Sequence, residues 1–150
     1  MAGAPSDFIN YGLFRGEVEK EQRILLQYDR IVFQFPFYWY SCPPLLKKWF
    51  DDVLTFGWAY GPGGGNLLGK EFMLAIMTGG TEVSYRSGGD NSSTISEFLR
   101  PIEKTLARCN GTLLPAFVAY GVKRASAAEL AETAAKYMEF IRSPRAVLVH

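Results

Sequence analysis

Residues 71–77 read EFMLAIM, a nearly continuous apolar run with no alternation that would leave one face in water. A segment so short and so uniformly apolar reads as a strand buried on both faces, and such strands belong to parallel sheets covered by helices. That restricts the chain to α/β architectures, and its neighbours agree. Residues 30–35 (RIVFQF) predict another strand, ended by Pro36, and 113–120 (LLPAFVAY) a third. Helical patterns lie between and around them. Residues 17–28 set Val18, Ile24, Leu25 and Tyr28 on one side. Pro43-Pro44 opens a helix whose Leu45, Leu46, Trp49, Phe50, Val53 and Leu54 form a stripe two residues wide. The capping box Thr94-x-x-Glu97 starts a helix, bent at Pro101, that Asn110-Gly111 closes, and Ser126-x-x-Glu129 starts one ending about Arg142. The expectation is a single domain over 1–150, a parallel sheet with helices on both faces. Ligands of such sheets bind beyond the carboxyl ends of the strands, which singles out loops 36–43, 78–93 and 121–125.

Histidine limits what those loops can do. The only one is His150, the last residue. Ser-His-Asp and Cys-His catalysis, HExxH chemistry and histidine zinc sites all need an imidazole held inside a fold. A bound cofactor is therefore expected to carry any reaction. With 16 Lys and Arg against 15 Asp and Glu, the net charge of +1 gives no bulk attraction to nucleic acid. No apolar run reaches the roughly 18 residues of a membrane-spanning helix. MAGAPSDFINYG lacks the basic start and apolar core of a secretion signal, and Cys42 and Cys109 form no CxxC, so a cytoplasmic protein is expected. Asp51-Asp52 point in different directions on one helix and read as a solvated edge, not a metal site. Gly64-x4-Gly69-Lys70 begins like a phosphate loop, but Glu71 stands where Ser or Thr should hold magnesium and a strand follows in place of a helix.

Two loops are candidates. Half of the chain's aromatic side chains fall between Phe33 and Tyr60. Trp49 and Phe50 lie on the helix stripe and read as core. Tyr38-Trp39-Tyr40 follow a strand-ending proline, where side chains leave the sheet for the crevice. They read either as core or as a surface that packs a flat ring and excludes water. Thr78-Gly79-Gly80 follow the buried strand directly, and glycines there let the backbone approach a ligand. An ordinary strand-to-helix turn has the same text.

Taken together, the segments YDRIVFQFPFYWYSCPPLLKKWFDDVLTFGWAYG, LLGKEFMLAIMTGG, RSGGDN and FLRPIEKTLARCNGTLLPAFVAYGV resemble the flavodoxin-like NAD(P)H dehydrogenase (quinone) family. Within it they resemble the general stress protein 14 and glutathione-regulated potassium-efflux ancillary branches, over about residues 17–142. The resemblance implies a flavin, FMN or FAD, and hydride transfer from NAD(P)H as electron donor to a small quinone-like acceptor. It places the ring-binding loop on Pro36, Phe37, Tyr38, Trp39 and Tyr40 and the second ring loop on Thr78, Gly79 and Gly80. It puts Tyr85 at the flavin's pyrimidine edge. Tyr60 becomes a wall of the acceptor pocket across a homodimer interface. The family's proton-relay histidine falls on Asn91, which cannot carry a proton at neutral pH. The other reading that the resemblance implies is a regulatory subunit of a membrane potassium-efflux transporter, with little or no flavin binding. The family's opening strand, phosphate loop, helix and second strand find no counterpart before residue 17. The sheet is accordingly expected to be N-terminally shortened. Flavin binding is expected to be weak, with poor discrimination between FMN and riboflavin. The C-terminal RAVLVH, 145–150, reads as a short strand able to cover the edge this leaves.

Overall fold

The computed structural model describes residues 15–148. Helix α1 spans Arg15–Leu26, strand β1 Arg30–Pro36, helix α2 Pro44–Val53 and strand β2 Glu71–Met77. Helix α3 covers Ile95–Arg108, β3 Thr112–Leu113, β4 Phe117–Ala119, α4 Ala127–Arg142 and α5 Arg145–Leu148. All pairings between these strands are parallel. β2 is central, with β1 on one side (Arg30 opposite Glu71 through Pro36 opposite Met77) and β3 and β4 on the other.

Strand alternation divides the core in two. Ile31, Phe33 and Phe35 of β1 and Phe72, Leu74 and Ile76 of β2 face α2 and α3. They meet the buried stripe Leu46, Trp49, Phe50 and Val53 and the α3 residues Ile95, Leu99, Ile102 and Leu106. Phe33 sits at the centre, its ring edge-on to Trp49 (5.4 Å) and Phe50 (5.2 Å). Helix α1 joins this layer. The Gln22 amide donates to the Val53 carbonyl (2.9 Å) and the Thr55 hydroxyl (3.1 Å), and Glu21, a buried acid, accepts from Trp49 Nε1 (2.9 Å).

The opposite face is more thinly covered. Val32, Met73 and Ala75 pack with Leu114 and with the partly buried Phe117, Tyr137 and Phe140. No residue of α4 is fully buried, and Leu130 and Met138 stay exposed. Polar ties hold the helix down. Tyr137 donates to Gln34 Oε1 (2.9 Å), and burial pushes its phenol above the usual range. Arg30 pairs with Glu71 (2.7 Å) and donates to the carbonyls of Ile141 (2.9 Å) and Ser143 (2.6 Å), satisfying the end of α4.

Both capping boxes form, each with its side chain and backbone bonds. α3 runs unbroken through Pro101, whose carbonyl accepts the Thr105 hydroxyl at 2.9 Å. Asp51 and Asp52 pair with Lys47 (2.6 Å) and Lys48 (2.7 Å) one turn earlier.

Three expectations need correction. The strand over 113–120 is two pieces, β3 and β4, parted at Leu114–Ala116, where Pro115 has no N–H for the ladder. Residues 145–148 form the short helix α5, opened by Pro144, whose carbonyl accepts from Val147 N (2.9 Å), so this stretch does not pair with β1. Residues 149 and 150 lie outside the described residues. Tyr28 falls beyond the end of α1 and is exposed. The segment before residue 15 also lies outside the described residues.

Candidate active site

Because β1, β2 and β4 are parallel, their carboxyl ends open on one side, and an open cleft of about 920 Å³ lies there. Its lining includes Tyr40, Gly79, Gly80, Tyr85, Asn91 and Tyr120.

After Pro36 the chain makes a tight reversal. Tyr38 and Ser41 exchange both backbone bonds (2.9 and 3.0 Å), and the two residues between them, Trp39 (φ 45°) and Tyr40 (φ 60°), both sit at positive φ. That is the pattern of a type I′ turn, which favours Asn and Gly. Bulky aromatics in this region cost about 1–2 kcal/mol each. The turn holds its aromatics outward: Trp39 is 81% exposed and Tyr38 54%. Replacing Trp39 by Asn should therefore stabilise the fold by about 1 kcal/mol, or roughly 2–4 °C in the melting midpoint at this size. Scanning calorimetry checks the sign.

Phe37 turns back under this loop, with ring contacts to Tyr40 (6.2 Å), Tyr85 (5.9 Å) and Phe98 (5.9 Å). Tyr85 ends a single 3-10 turn, Glu82–Tyr85, and is buried against Phe37, Phe98 and Tyr120. Its ring lies close to Gly80. A Cβ there would come within 3.0 Å of Tyr85 Cε2 and 3.2 Å of its hydroxyl oxygen, so glycine is what lets the phenol reach the loop.

Thr78 stands behind the two glycines. It is fully buried, its hydroxyl donates to the Gly80 carbonyl (2.9 Å) and its N–H to the Ala119 carbonyl (2.9 Å). It shapes the loop that carries Gly79 and Gly80 to the cleft. Tyr40 donates to Asn91 Oδ1 (3.3 Å), tying the aromatic turn to the loop beyond Tyr85.

The structure thus brings Phe37, Tyr40, Thr78, Gly79, Gly80, Tyr85 and Asn91 together, with Tyr38 and Trp39 at the rim. Tyr60 is elsewhere. It lines a second cleft between α2 and α3, with the Arg108 guanidinium 5.9 Å from its ring centre and Phe56 edge-on. Tyr120 entered no motif in the sequence. It directly follows β4 at the cleft, its ring 6.0 Å from Tyr85, and burial with nearby Glu82 and Tyr85 raises its phenol. Only its place at a strand's carboxyl end could have marked it.

Comparison with known proteins agrees with this fold. A protein family described as having a flavodoxin-like fold matches residues 6–141. General stress protein 14 of Bacillus subtilis is 50% identical over 128 residues, covering 85% of this chain and 73% of that one. The uncharacterized NAD(P)H oxidoreductase YdeQ of the same bacterium is 51% identical, over 83% of this chain and 64% of its own length. This chain therefore spans less than two thirds of that relative. The potassium-efflux ancillary protein KefG of Cronobacter sakazakii is 42% identical over 91% of this chain and 74% of that one. Among solved structures, one described as a thermophilic tryptophan halogenase from Streptomycin violaceusniger superimposes with a TM-score of 0.84 at 52% identity, over 85% of this chain and 74% of that one. General stress protein 14 of Treponema denticola, in complex with FMN, gives 0.79 at 40% identity, over 83% and 71%. An NADPH-quinone reductase from P. pentosaceus gives 0.79 at 34% identity, over 85% and 75%.

Proposed function

Since the chain belongs to the flavodoxin-like fold family, we propose that it is a flavin-dependent NAD(P)H oxidoreductase acting on a small quinone-like acceptor. The observation that carries this reading is the convergence of Gly79, Gly80 and Tyr85 with the Phe37–Tyr40 aromatics at the carboxyl ends of parallel strands. Relatives that carry oxidoreductase and quinone reductase names, and a neighbour that holds FMN, support it.

The residues present fit a flat, hydrogen-bonding ring. Gly80 has no side chain in the space that Tyr85 fills, so backbone donors and a phenol lie side by side on one wall. Tyr40 supplies aromatic surface to the cleft, backed by Phe37, with the exposed Trp39 next to it in the turn. Gly79 and Gly80 N–H groups would hold the polar edge of the isoalloxazine, and FMN is the flavin proposed. Bound there, a flavin would supply two-electron hydride chemistry between NAD(P)H and the acceptor. Tyr85 would donate to the ring's polar edge and steady negative charge developing there. Asn91, bonded to Tyr40, would position the aromatic turn.

Tyr60 fits the acceptor pocket only through a second copy, and a homodimer is part of the proposal. Phe56, 68% exposed and in ring contact with Tyr60, leaves apolar surface beside it for such a contact. Sedimentation should give a dimer at micromolar concentration, and a strict monomer would remove Tyr60 from the pocket. No helix among the described residues is long and apolar enough to cross a membrane. The proposal places the reaction in the cytoplasm, where NAD(P)H is available. The transporter-subunit reading rests on the KefG resemblance and is not favoured over the main reading, which the oxidoreductase and quinone reductase relatives and the FMN-holding neighbour support.

The deciding experiment is to add FMN to the purified protein and follow the absorbance and fluorescence of the flavin. Saturable binding, with NADPH oxidation that depends on added quinone, is expected. A protein that takes up no flavin overturns the proposal.

A further inference from the structure

The cleft between α2 and α3 carries charge that the proposed reaction leaves without a role. Lys104 and Arg108 stand one turn apart on α3, so they share a face, and both are exposed along that cleft. Neither makes an ion pair or a side-chain hydrogen bond among the described residues. Among the described residues lining the cleft the only carboxylate is Asp51, and it is paired with Lys47 at 2.6 Å. Two cations are left uncompensated. Like charges at this spacing repel, and an anion between them relieves the repulsion.

Tyr60 places the pair. The Arg108 guanidinium lies 5.9 Å from the centre of its ring, within reach of a cation held on an aromatic face. The tyrosine itself sits on a fastened turn. Gly57 N donates to its carbonyl (2.8 Å) and Ala59 N to the Thr55 carbonyl (2.9 Å), while Gly64 packs against its backbone where a Cβ would not fit. Ala59, next to it, is fully buried. Ring and guanidinium are thus presented together, and wherever a dimer carries Tyr60, Arg108 goes too. In the homodimer proposed above, Tyr60 walls the acceptor pocket of a second copy. A tyrosine ring in contact with a guanidinium suits a flat ring that bears an acidic group, because Arg meets an oxyanion such as carboxylate with paired N–H donors.

We propose that Arg108, with Lys104 one turn before it, determines acceptor specificity by selecting quinones that bear an acidic substituent. The inference rests on the flavin-dependent reading and its homodimer, and deepens them by naming the acceptor class. The two cations hold the acceptor by a group that does not react, before and during hydride transfer alike, so their loss raises KM and leaves kcat nearly as it was. A charge-assisted contact should be worth roughly tenfold in affinity. The preference should shrink as salt rises, because both cations are exposed.

The test is steady-state kinetics of the FMN-loaded full chain with NADPH and two acceptors of one ring system, naphthoquinone sulfonate and methylnaphthoquinone. The quantity read is the ratio of their kcat/KM values in the parent, Arg108→Gln, Arg108→Lys and the double variant Lys104→Gln/Arg108→Gln. Comparing ratios cancels the intrinsic reactivity of each quinone. Both side chains are exposed, so the variants should melt as the parent does. A ratio about tenfold lower in Arg108→Gln supports the inference if it is carried by KM for the sulfonate, partly restored by Arg108→Lys and lowest in the double variant. Naphthalene sulfonate, which cannot be reduced, gives a readout apart from turnover: calorimetry should find its affinity about tenfold lower in Arg108→Gln. An unchanged ratio overturns the inference alone, as does a rise confined to the KM for NADPH, which assigns the cations to the dinucleotide. A strict monomer in sedimentation also overturns it and leaves the flavin-dependent reading standing. A parent that reduces neither quinone overturns both.

Discussion

Replacing Tyr85 by phenylalanine is expected to slow reduction of the bound flavin by NAD(P)H roughly tenfold to a hundredfold, the scale of losing one donor to developing charge. Stopped-flow absorbance at the flavin band reads the rate directly. The substitution is clean because the ring does the packing, against Phe37, Phe98 and Tyr120, while the hydroxyl makes no hydrogen bond among the described residues. Stability should hold and the rate should fall. Asn91→Ala offers the contrast. Its amide ties down the Tyr40 hydroxyl and cannot relay a proton, so it should slow reduction less than Tyr85→Phe does. An unchanged rate in Tyr85→Phe would reduce that tyrosine to a packing residue.

The largest stability effect is expected at Trp49. It is 1% exposed, and truncation to alanine should cost about 3–5 kcal/mol, read as a lowered urea midpoint. The upper part of that range applies because the indole does two things. It fills the space beside Phe33 and Phe50, and its N–H satisfies the buried Glu21 carboxylate. Trp49→Phe should separate the two. It keeps the aromatic packing and leaves the acid without that donor, a cost of about 1–3 kcal/mol. Adding Glu21→Leu to Trp49→Phe should recover much of the loss, since removing both polar partners removes the desolvation penalty as well.

The parts of this fold that sequence made legible are those decided by short-range chemistry. EFMLAIM is β2 residue for residue, because the six apolar residues after Glu71 leave no face suited to water. Both capping boxes were readable because donor and acceptor lie three residues apart. At the C-terminus the alternating valines of RAVLVH suggested a strand. The stronger signal was Pro144, the same proline opening that was read correctly at Pro43-Pro44. Glu21 escaped notice because nothing local marks an acid as buried; its partner is 28 residues away. In the site, strand topology picked out all three loops and the TGG text picked out the glycines. The backbone of Trp39 and Tyr40 could not be read, since aromatic residues argue against positive φ. Lys123 and Arg124 lay in a loop that topology singled out, but two exposed cations carry no motif. Hydrogen bonds from Gly121 N and Val122 N fasten that loop to Gly80 and Thr78.

Helix α4 is held by its end and by one phenol, with no residue fully buried, and its first turns line the cleft through Glu129, Glu132 and Thr133. In terms of amide exchange, such an element opens on its own. Its N–H groups swap with deuterium through a local detachment that costs less than global unfolding, whereas those of central β2 wait for the whole domain to open. A ligand seated in the cleft against the first turns of α4 would close off that detachment along the helix, out to the carbonyls that Arg30 holds at the far end. Occupancy of the cleft is then written as a slowing of the isotope clock in residues that never touch the ligand.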